Sequence, residues 1–152
     1  MDFTVLVTVI SGVLTYVLGQ LVVKIVIEPV QETRRTIGQI SHSLIERGNV
    51  IANPGVPTEE AMRETAQQLR NLSSQLQSHL YLVPAYATTA RVFRLPSKDE
   101  LLSASKNLIA LSTSVYRATD RVHEENATHV EKIRDALSIY MPEDERISRL
   151  TN

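Results

Sequence analysis

Residues 3–23, FTVLVTVISGVLTYVLGQLVV, form an uncharged stretch that decides how this chain is organised. Thirteen of the 21 residues are Phe, Val, Leu or Ile. A helix of this length is about 31 Å long, close to the hydrocarbon thickness of a bilayer. The thirteen apolar residues together favour insertion by roughly 4–8 kcal/mol, which the few polar residues do not cancel. The sequence therefore predicts one transmembrane helix within residues 1–28.

Two other interpretations of the apolar stretch are a buried core helix and a cleaved signal peptide. A core helix that is apolar on every side is rare in a small soluble protein. A signal peptide normally begins with Lys or Arg, whereas this chain begins Met1-Asp2. The apolar run also continues beyond Gly19, where a weak cleavage pattern ends. Pro29 predicts a kink or an end of the helix.

The charged residues beside the apolar stretch predict its orientation. Only Asp2 precedes it, whereas Lys24, Arg34 and Arg35 follow it closely. Because positive residues tend to stay on the cytoplasmic side, we expect the N-terminus outside and the remainder of the chain in the cytoplasm. In a bacterium the membrane would be the inner one.

Small and hydroxyl-bearing residues recur at spacings of three and four along the apolar stretch, so they share one helix face. Small residues let two membrane helices approach closely, and their polar groups can bond across the contact. The alternative is that Gly and Thr are simply common in membrane helices. The pattern predicts contact with another membrane protein or with a second copy of the chain, through Thr8, Ser11, Gly12, Thr15, Gly19 and Gln20.

Residues 29–141 predict a small all-α domain of three to four helices, because apolar residues recur there at helical spacing and no segment alternates with a period of two. Short connections favour an antiparallel bundle or an extended helical hairpin. Residues 142–152 are expected to form a charged tail.

Four segments carry the helical pattern. The first extends from about residue 30 to 52, and the second is expected to begin at its N-cap, Thr58. The third begins with the capping-box sequence Ser97-Lys98-Asp99-Glu100 and is expected to end between residues 117 and 120. The fourth is predicted to start at Asn126 or Thr128, with Thr128 and Glu131 as a capping box, and to end at Pro142. Its apolar face would consist of Val130, Ile133, Leu137 and Tyr140.

Residues 80–98 combine aromatic, aliphatic and basic side chains, and no acidic residue occurs between Glu64 and Asp99. The first soluble helix leaves the membrane and the second returns by about the same distance, so this segment is expected near the bilayer. The alternative is a loop or short helix whose apolar residues cap the core. Membrane-surface contact is predicted for Tyr81, Tyr86, Arg91, Phe93, Arg94 and Lys98.

The composition and motifs argue against several classes of chemistry. The 16 basic and 17 acidic residues balance, so no strong field attracts nucleic acid. The absence of Cys excludes disulfides, thiolate zinc sites and cysteine nucleophiles. No P-loop, G-x-G-x-x-G, G-x-S-x-G or H-E-x-x-H pattern occurs. We expect no catalytic residue, no cofactor, no metal site and no nucleic-acid partner.

These features together predict a non-enzymatic, membrane-anchored helical adaptor or a small subunit of a membrane protein complex. Its expected partners are the lipid bilayer, a membrane protein or another copy of itself, and a cytosolic protein. Two alternatives stay open: a membrane-perturbing or toxin-like defence effector, and a membrane-anchored enzyme whose site is assembled from scattered residues.

Overall fold

A computed structural model describes residues 3–117 and 120–140, and every regular element in these ranges is helical, as the sequence predicts. The predicted charged tail, residues 142–152, lies outside the described residues. The elements in chain order are α1 (Phe3–Val22), a π-helical segment (Val23–Ile27), α2 (Glu28–Glu46), α3 (Gly48–Ala52), α4 (Glu59–Leu82), α5 (Tyr86–Phe93), α6 (Lys98–Ser114) and α7 (Asp120–Ala136).

The apolar stretch is joined to the remainder of the chain by uninterrupted helix. A single helix of 44 residues runs from Phe3 to Glu46, about 66 Å long at 1.5 Å per residue. Pro29 lies in the first turn of α2 and does not end the helix. Immediately before it, the N–H of Glu28 bonds the carbonyl of Val23, five residues back. This wider π-helical turn adjoins the proline, which has no N–H and crowds the preceding turn.

Helix α4 runs back along α2 in the opposite direction. In the first half of α2, the hydroxyl of Thr36 lies 2.9 Å from Nε2 of His79, in the last turn of α4. At the end of α2, Nε of Arg47 donates to the side-chain oxygen of Gln68, 3.3 Å away in the first half of α4. The end of α4 therefore returns toward the end of the domain from which α1 leaves.

Helix α6 packs against α4 and runs in the opposite direction to it. The hydroxyls of Ser73 and Ser105 are 2.6 Å apart, and Nε of Arg70 donates to the hydroxyl of Ser112 at 3.2 Å. Lower-numbered residues of α4 thus meet higher-numbered residues of α6. Helix α7 in turn packs against α6 and α3.

Two of the three helix starts predicted from capping sequences are confirmed, those of α4 and α6. The hydroxyl of Thr58 accepts the N–H of Ala61 at 3.3 Å and caps α4. Ser97 and Glu100 form a complete capping box, in which each side chain accepts the other residue's backbone N–H. Helix α6 ends at Ser114, a few residues earlier than the sequence predicts.

The predicted start of the last helix is wrong. Helix α7 spans Asp120–Ala136, so both candidate N-cap residues lie inside it. The side chain of Asn126 is buried and donates to the carbonyl of Ile51 at 2.8 Å. The hydroxyl of Thr128 donates to the carbonyl of Glu124 at 2.8 Å, one turn earlier in the same helix. Side chains that can cap a helix can equally bond other backbone groups, and here they do so.

The hydrophobic core lies where α2, α4, α6 and α7 meet, and residues from α3 and α5 join it. The predicted face of the last helix is confirmed at Ile133 and Leu137, but Tyr140 follows the helix end and is 84% exposed. Such burial of apolar side chains is the main stabilising contribution to the domain. The large core residues of α2, α4, α6 and α7, together with Leu137 directly after α7, are Ile40, Leu44, Leu69, Leu72, Leu76, Leu101, Leu108, Leu111, Ile133 and Leu137.

Candidate functional site

Helix α1 is the largest apolar surface among the described residues. None of its residues is buried against the remainder of the chain, although it is long and apolar enough to cross a membrane. This exposure does not fit a buried core helix. A signal sequence would share the same length and composition. Because α1 continues without a break into α2, whose Ile40 and Leu44 belong to the core, the apolar helix and the folded domain are mechanically continuous.

The predicted packing face of α1 is present as a stripe along one side of a regular helix. All of its residues are exposed, and the hydroxyl of Thr8 donates to the carbonyl of Thr4 at 2.9 Å. A Cβ atom added at Gly12 or Gly19 would meet nothing within 4 Å. Contacts within this chain therefore do not require glycine at either position.

The folded domain begins directly after the apolar stretch. Val30 is only 2% exposed and Thr33 is fully buried, three and six residues beyond Ile27. The guanidinium of Arg34 donates to the carbonyl of Phe93 at 2.7 Å, which fixes the end of α5 beside the beginning of α2. The segment that follows α4 thus lies at the end of the domain from which α1 leaves.

The six residues predicted to contact the membrane surface fall into two groups. Tyr81, Arg91, Arg94 and Lys98 are exposed, as lipid contact would require. Tyr86, in contrast, belongs to the core, and Phe93 is half-buried. Two other large apolar side chains of this segment are exposed, those of Leu82 at the end of α4 and Val92 on α5, and they were missed because the sequence alone does not show which face of either helix is covered. They are 60% and 70% exposed.

Tyr86 is held by its ring and by its hydroxyl. The side chain is 9% exposed and packs in the core, and its hydroxyl donates to the carbonyl of Pro96 at 2.7 Å. Burial, together with the charge of Glu100, raises the pKa of Tyr86 to about 12. The phenol therefore stays protonated and keeps donating throughout the physiological pH range. Tyr86 couples α5 to the turn before α6, so it is a structural residue.

A polar groove of about 1050 Å³ lies between α2 and α4. Three guanidinium groups, of Arg35, Arg47 and Arg63, line it, and Arg47 lies 3.4 Å from the carboxylate of Glu64. The groove was not predicted from the sequence, although polar residues at helical spacing on α4 were the available signal. The amide side chains that line it are those of Gln39, Gln67, Gln68, Asn71 and Gln75.

Two histidines belong to polar contacts inside the domain. Burial lowers the pKa of His79 below 6.5, although the charge of Glu32 acts in the opposite direction. Burial and the charge of Lys132 lower the pKa of His129, whose Nδ1 lies 2.7 Å from the side-chain oxygen of Asn107. Both rings are thereby favoured in the neutral form. Their contacts connect α2 to α4 and α6 to α7.

The other two histidines also have partners within the chain. Nδ1 of His42 lies 3.8 Å from the carboxylate of Glu46, and the ring of His123 bonds the carbonyl of Ala52. Within residues 3–117 and 120–140, no three His, Asp or Glu side chains are grouped so that they could hold a metal ion. The described histidines thus serve contacts between and within helices.

Comparison of the chain with models of protein families, with curated proteins and with solved structures finds no match. The function proposed below is therefore inferred from the residues and their contacts.

Proposed function

We propose that this chain is a membrane-anchored helical adaptor, or a small subunit of a membrane protein complex, without enzymatic activity. The observation that carries the proposal is the full exposure of α1, an apolar helix that no other part of the described chain covers. Exposing such a surface to water costs a free energy comparable to the unfolding free energy of a whole domain, so α1 requires lipid or a protein partner. A bilayer matches both its length and its uniform apolar character.

In this proposal α1 crosses the membrane with its N-terminus outside, and α2, α4, α6 and α7 form an antiparallel bundle in the cytoplasm. The opposite directions of α2 and α4, and of α4 and α6, support the bundle. The cluster of Lys24, Arg34 and Arg35 after the apolar stretch supports the orientation. In a bacterium the anchor would lie in the inner membrane.

Contact within the bilayer would use the small-residue face of α1. Glycine at positions 12 and 19 leaves open space beside the helix backbone, which a second helix can enter. The second helix would belong to another membrane protein or to a second copy of this chain. Close approach of the two backbones is then the main source of affinity, because no hydrophobic effect drives apolar side chains together in lipid.

The groove between α2 and α4 is the surface best suited to a cytosolic partner. Amides and guanidinium groups offer hydrogen bonds in several directions, and arginine pairs well with carboxylates. A segment of a protein that bears carboxylate and amide groups would match this lining. Because α2 continues α1, a partner bound in the groove would be held at a set height beside the membrane.

Affinity purification of the intact chain in mild detergent, followed by mass spectrometry, tests the proposal. Changing both Gly12 and Gly19 to Leu should remove a membrane partner, because the added side chains separate the helix backbones. The matched control changes Ile10 and Val17 to Leu on the opposite face and should retain that partner. The charge reversal Arg63→Glu should remove only a partner bound in the groove. Recovery of the wild-type chain strictly alone and monomeric would contradict an adaptor role.

A further inference from the structure

We propose that the corner formed by the end of α4 and the outer face of α5 rests in the headgroup layer of an anionic bilayer, as a second point of membrane attachment beside α1. This inference rests on the proposed function, because it requires α1 to lie in the membrane. It revises the six residues predicted from sequence: the covered Tyr86 and Phe93 are replaced by the exposed Leu82 and Val92. The revised set, named here the corner surface, is Tyr81, Leu82, Arg91, Val92, Arg94 and Lys98.

The end of α5 lies close to the expected position of the bilayer. Burial of α2 begins at Val30, so the domain starts about 4.5 Å of helix rise beyond Ile27. The bond from Arg34 to Phe93 places the end of α5 about 10 Å of rise beyond Ile27. A helix with its side chains is about 10–12 Å wide, so the side of α5 nearest the membrane reaches the headgroup layer, which is roughly 5–8 Å thick.

Helix α5 is oriented with one face on the core and the opposite face outward. Tyr86 and Ala90 on its inner face belong to the core, which α5 covers at the end of the domain nearest α1. Arg91 and Val92, on the opposite face, are exposed. Because the inner face is fixed against the core and the helix connects the end of α4 to the start of α6, the outer face points away from the domain. With α1 in the membrane, that outer face is turned toward the lipid around α1.

Three large apolar side chains of the corner surface are exposed. Tyr81 is 89% exposed, Val92 is 70% exposed and Leu82 is 60% exposed, all at one end of the domain. Single exposed apolar residues are common on soluble proteins, but here three of them occur together beside the membrane anchor. Aromatic and branched aliphatic side chains of this kind enter the boundary between headgroups and acyl chains.

The charges select anionic lipid as the occupant. Arg91, Arg94 and Lys98 are exposed around the apolar side chains, and no acidic residue occurs between positions 64 and 99. The nearest carboxylates are partly engaged: Glu32 lies 3.6 Å from Arg35, and Glu100 accepts the N–H of Ser97. Besides Glu100, the other described carboxylates of this end are those of Glu28, Asp99 and, in the last turn of α7, Asp135. The three cations together with Lys24 and Arg34 outnumber these four carboxylates. The corner surface is therefore net positive.

The absence of cysteine makes the test direct, because single labels can be placed in the full-length chain. Val92→Cys reports on the corner surface. Val56→Cys, in the exposed loop before α4 at the other end of the domain, is the matched control. Leu14→Cys reports on the centre of α1. Each variant carries a fluorophore and is reconstituted into phosphatidylcholine vesicles with or without phosphatidylserine, and nitroxide-labelled lipids then quench the dye by contact.

We expect lipid nitroxides to quench the label at Val92→Cys strongly and the label at Val56→Cys little. Phosphatidylserine should increase the quenching, and the changes Arg91→Glu and Arg94→Glu should reduce it. Each cation near an anionic surface is worth about fivefold in partitioning, so the pair should lower the attached-to-detached ratio at least about 20-fold.

The outcomes separate this inference from the proposed anchor. Quenching of the label at Leu14→Cys, with equal weak quenching at Val92→Cys and Val56→Cys, would overturn the corner contact and leave the anchor standing. No quenching at Leu14→Cys would overturn both. Equal quenching at Val92→Cys with and without phosphatidylserine, unchanged by the two arginine substitutions, would overturn the assignment of anionic lipid.

Discussion

Tyr86 provides the sharpest test of how the segment after α4 is built, because lipid contact and core packing predict opposite results for it. In the structure its ring is almost completely buried and its hydroxyl bonds the carbonyl of Pro96 at 2.7 Å. Tyr81, only five residues earlier, is 89% exposed. The two tyrosines therefore form a matched pair within one segment.

The magnitudes follow from the contacts. Tyr86→Phe keeps the ring but removes the hydroxyl, which leaves the Pro96 carbonyl without this donor and should cost about 1–3 kcal/mol of unfolding free energy. Tyr86→Ala also removes the ring from the core and should cost about 3–5 kcal/mol. Tyr81→Ala should change the unfolding free energy by no more than about 0.5 kcal/mol, because its side chain is exposed to solvent.

Pulse proteolysis of the full-length chain in mild detergent, over a series of urea concentrations, measures these changes without an optical signal from the domain. With a urea dependence of about 1–3 kcal/mol per molar, Tyr86→Phe should lower the midpoint by roughly 1 M. An unchanged midpoint for Tyr86→Phe and Tyr86→Ala, together with weaker vesicle binding, would place this ring in lipid and refute its assignment to the core.

Three further outcomes are expected from the same assay. Leu108 is fully buried between the helices, so Leu108→Ala should cost about 3–5 kcal/mol, and a loss below about 1 kcal/mol would contradict the core described here. Ser97→Ala removes one half of the capping box and should cost about 1 kcal/mol, whereas the neighbouring exposed change Lys98→Ala serves as the control. Burial lowers the pKa of His79 below 6.5, so the unfolded chain binds the proton more tightly and the stability present above that pH should fall as the pH decreases. The change His79→Gln should make this fall less steep, and an identical pH dependence in the variant would show that His79 is not its source.

Local sequence signals predicted those parts of the fold that depend on short-range interactions. The start of α4 at Thr58 and the capping box at Ser97 follow from the pairing of one side chain with a backbone N–H within a single turn. The length and apolar character of α1 follow from composition alone. None of these features depends on the position of another helix.

Contacts between distant residues account for the predictions that were wrong. Asn126 has the chemistry of a helix cap, but its amide bonds the carbonyl of Ile51, 75 residues earlier, and α7 therefore begins before it. Helix α5 begins directly after Ala85, whose backbone is in the left-handed region with φ of 44°. Glycine and asparagine are the residues normally expected in that conformation. The fold imposes that conformation because Val83 and Tyr86, on either side, both enter the core.

The sequence predicts a candidate surface well when that surface lies on one helix, and poorly when it depends on contacts between helices. The small-residue face of α1 depends only on helical periodicity, so the sequence shows it completely. The groove between α2 and α4 depends on which faces of two helices meet, and the exposed set on α5 depends on which side of it the core covers. Spacing alone could suggest a polar face on α4, from Glu64 to Gln75, but could not show what lies opposite.

Alkaline carbonate extraction of membranes that carry the full-length chain, followed by the intact mass of the retained protein, tests the membrane anchor most directly. The proposed anchor predicts that the chain stays in the membrane pellet at its full mass, because α1 would be embedded in lipid and is joined to the folded domain by continuous helix. Release of the chain into the supernatant, or recovery only of a product shortened near Gly19, would contradict it.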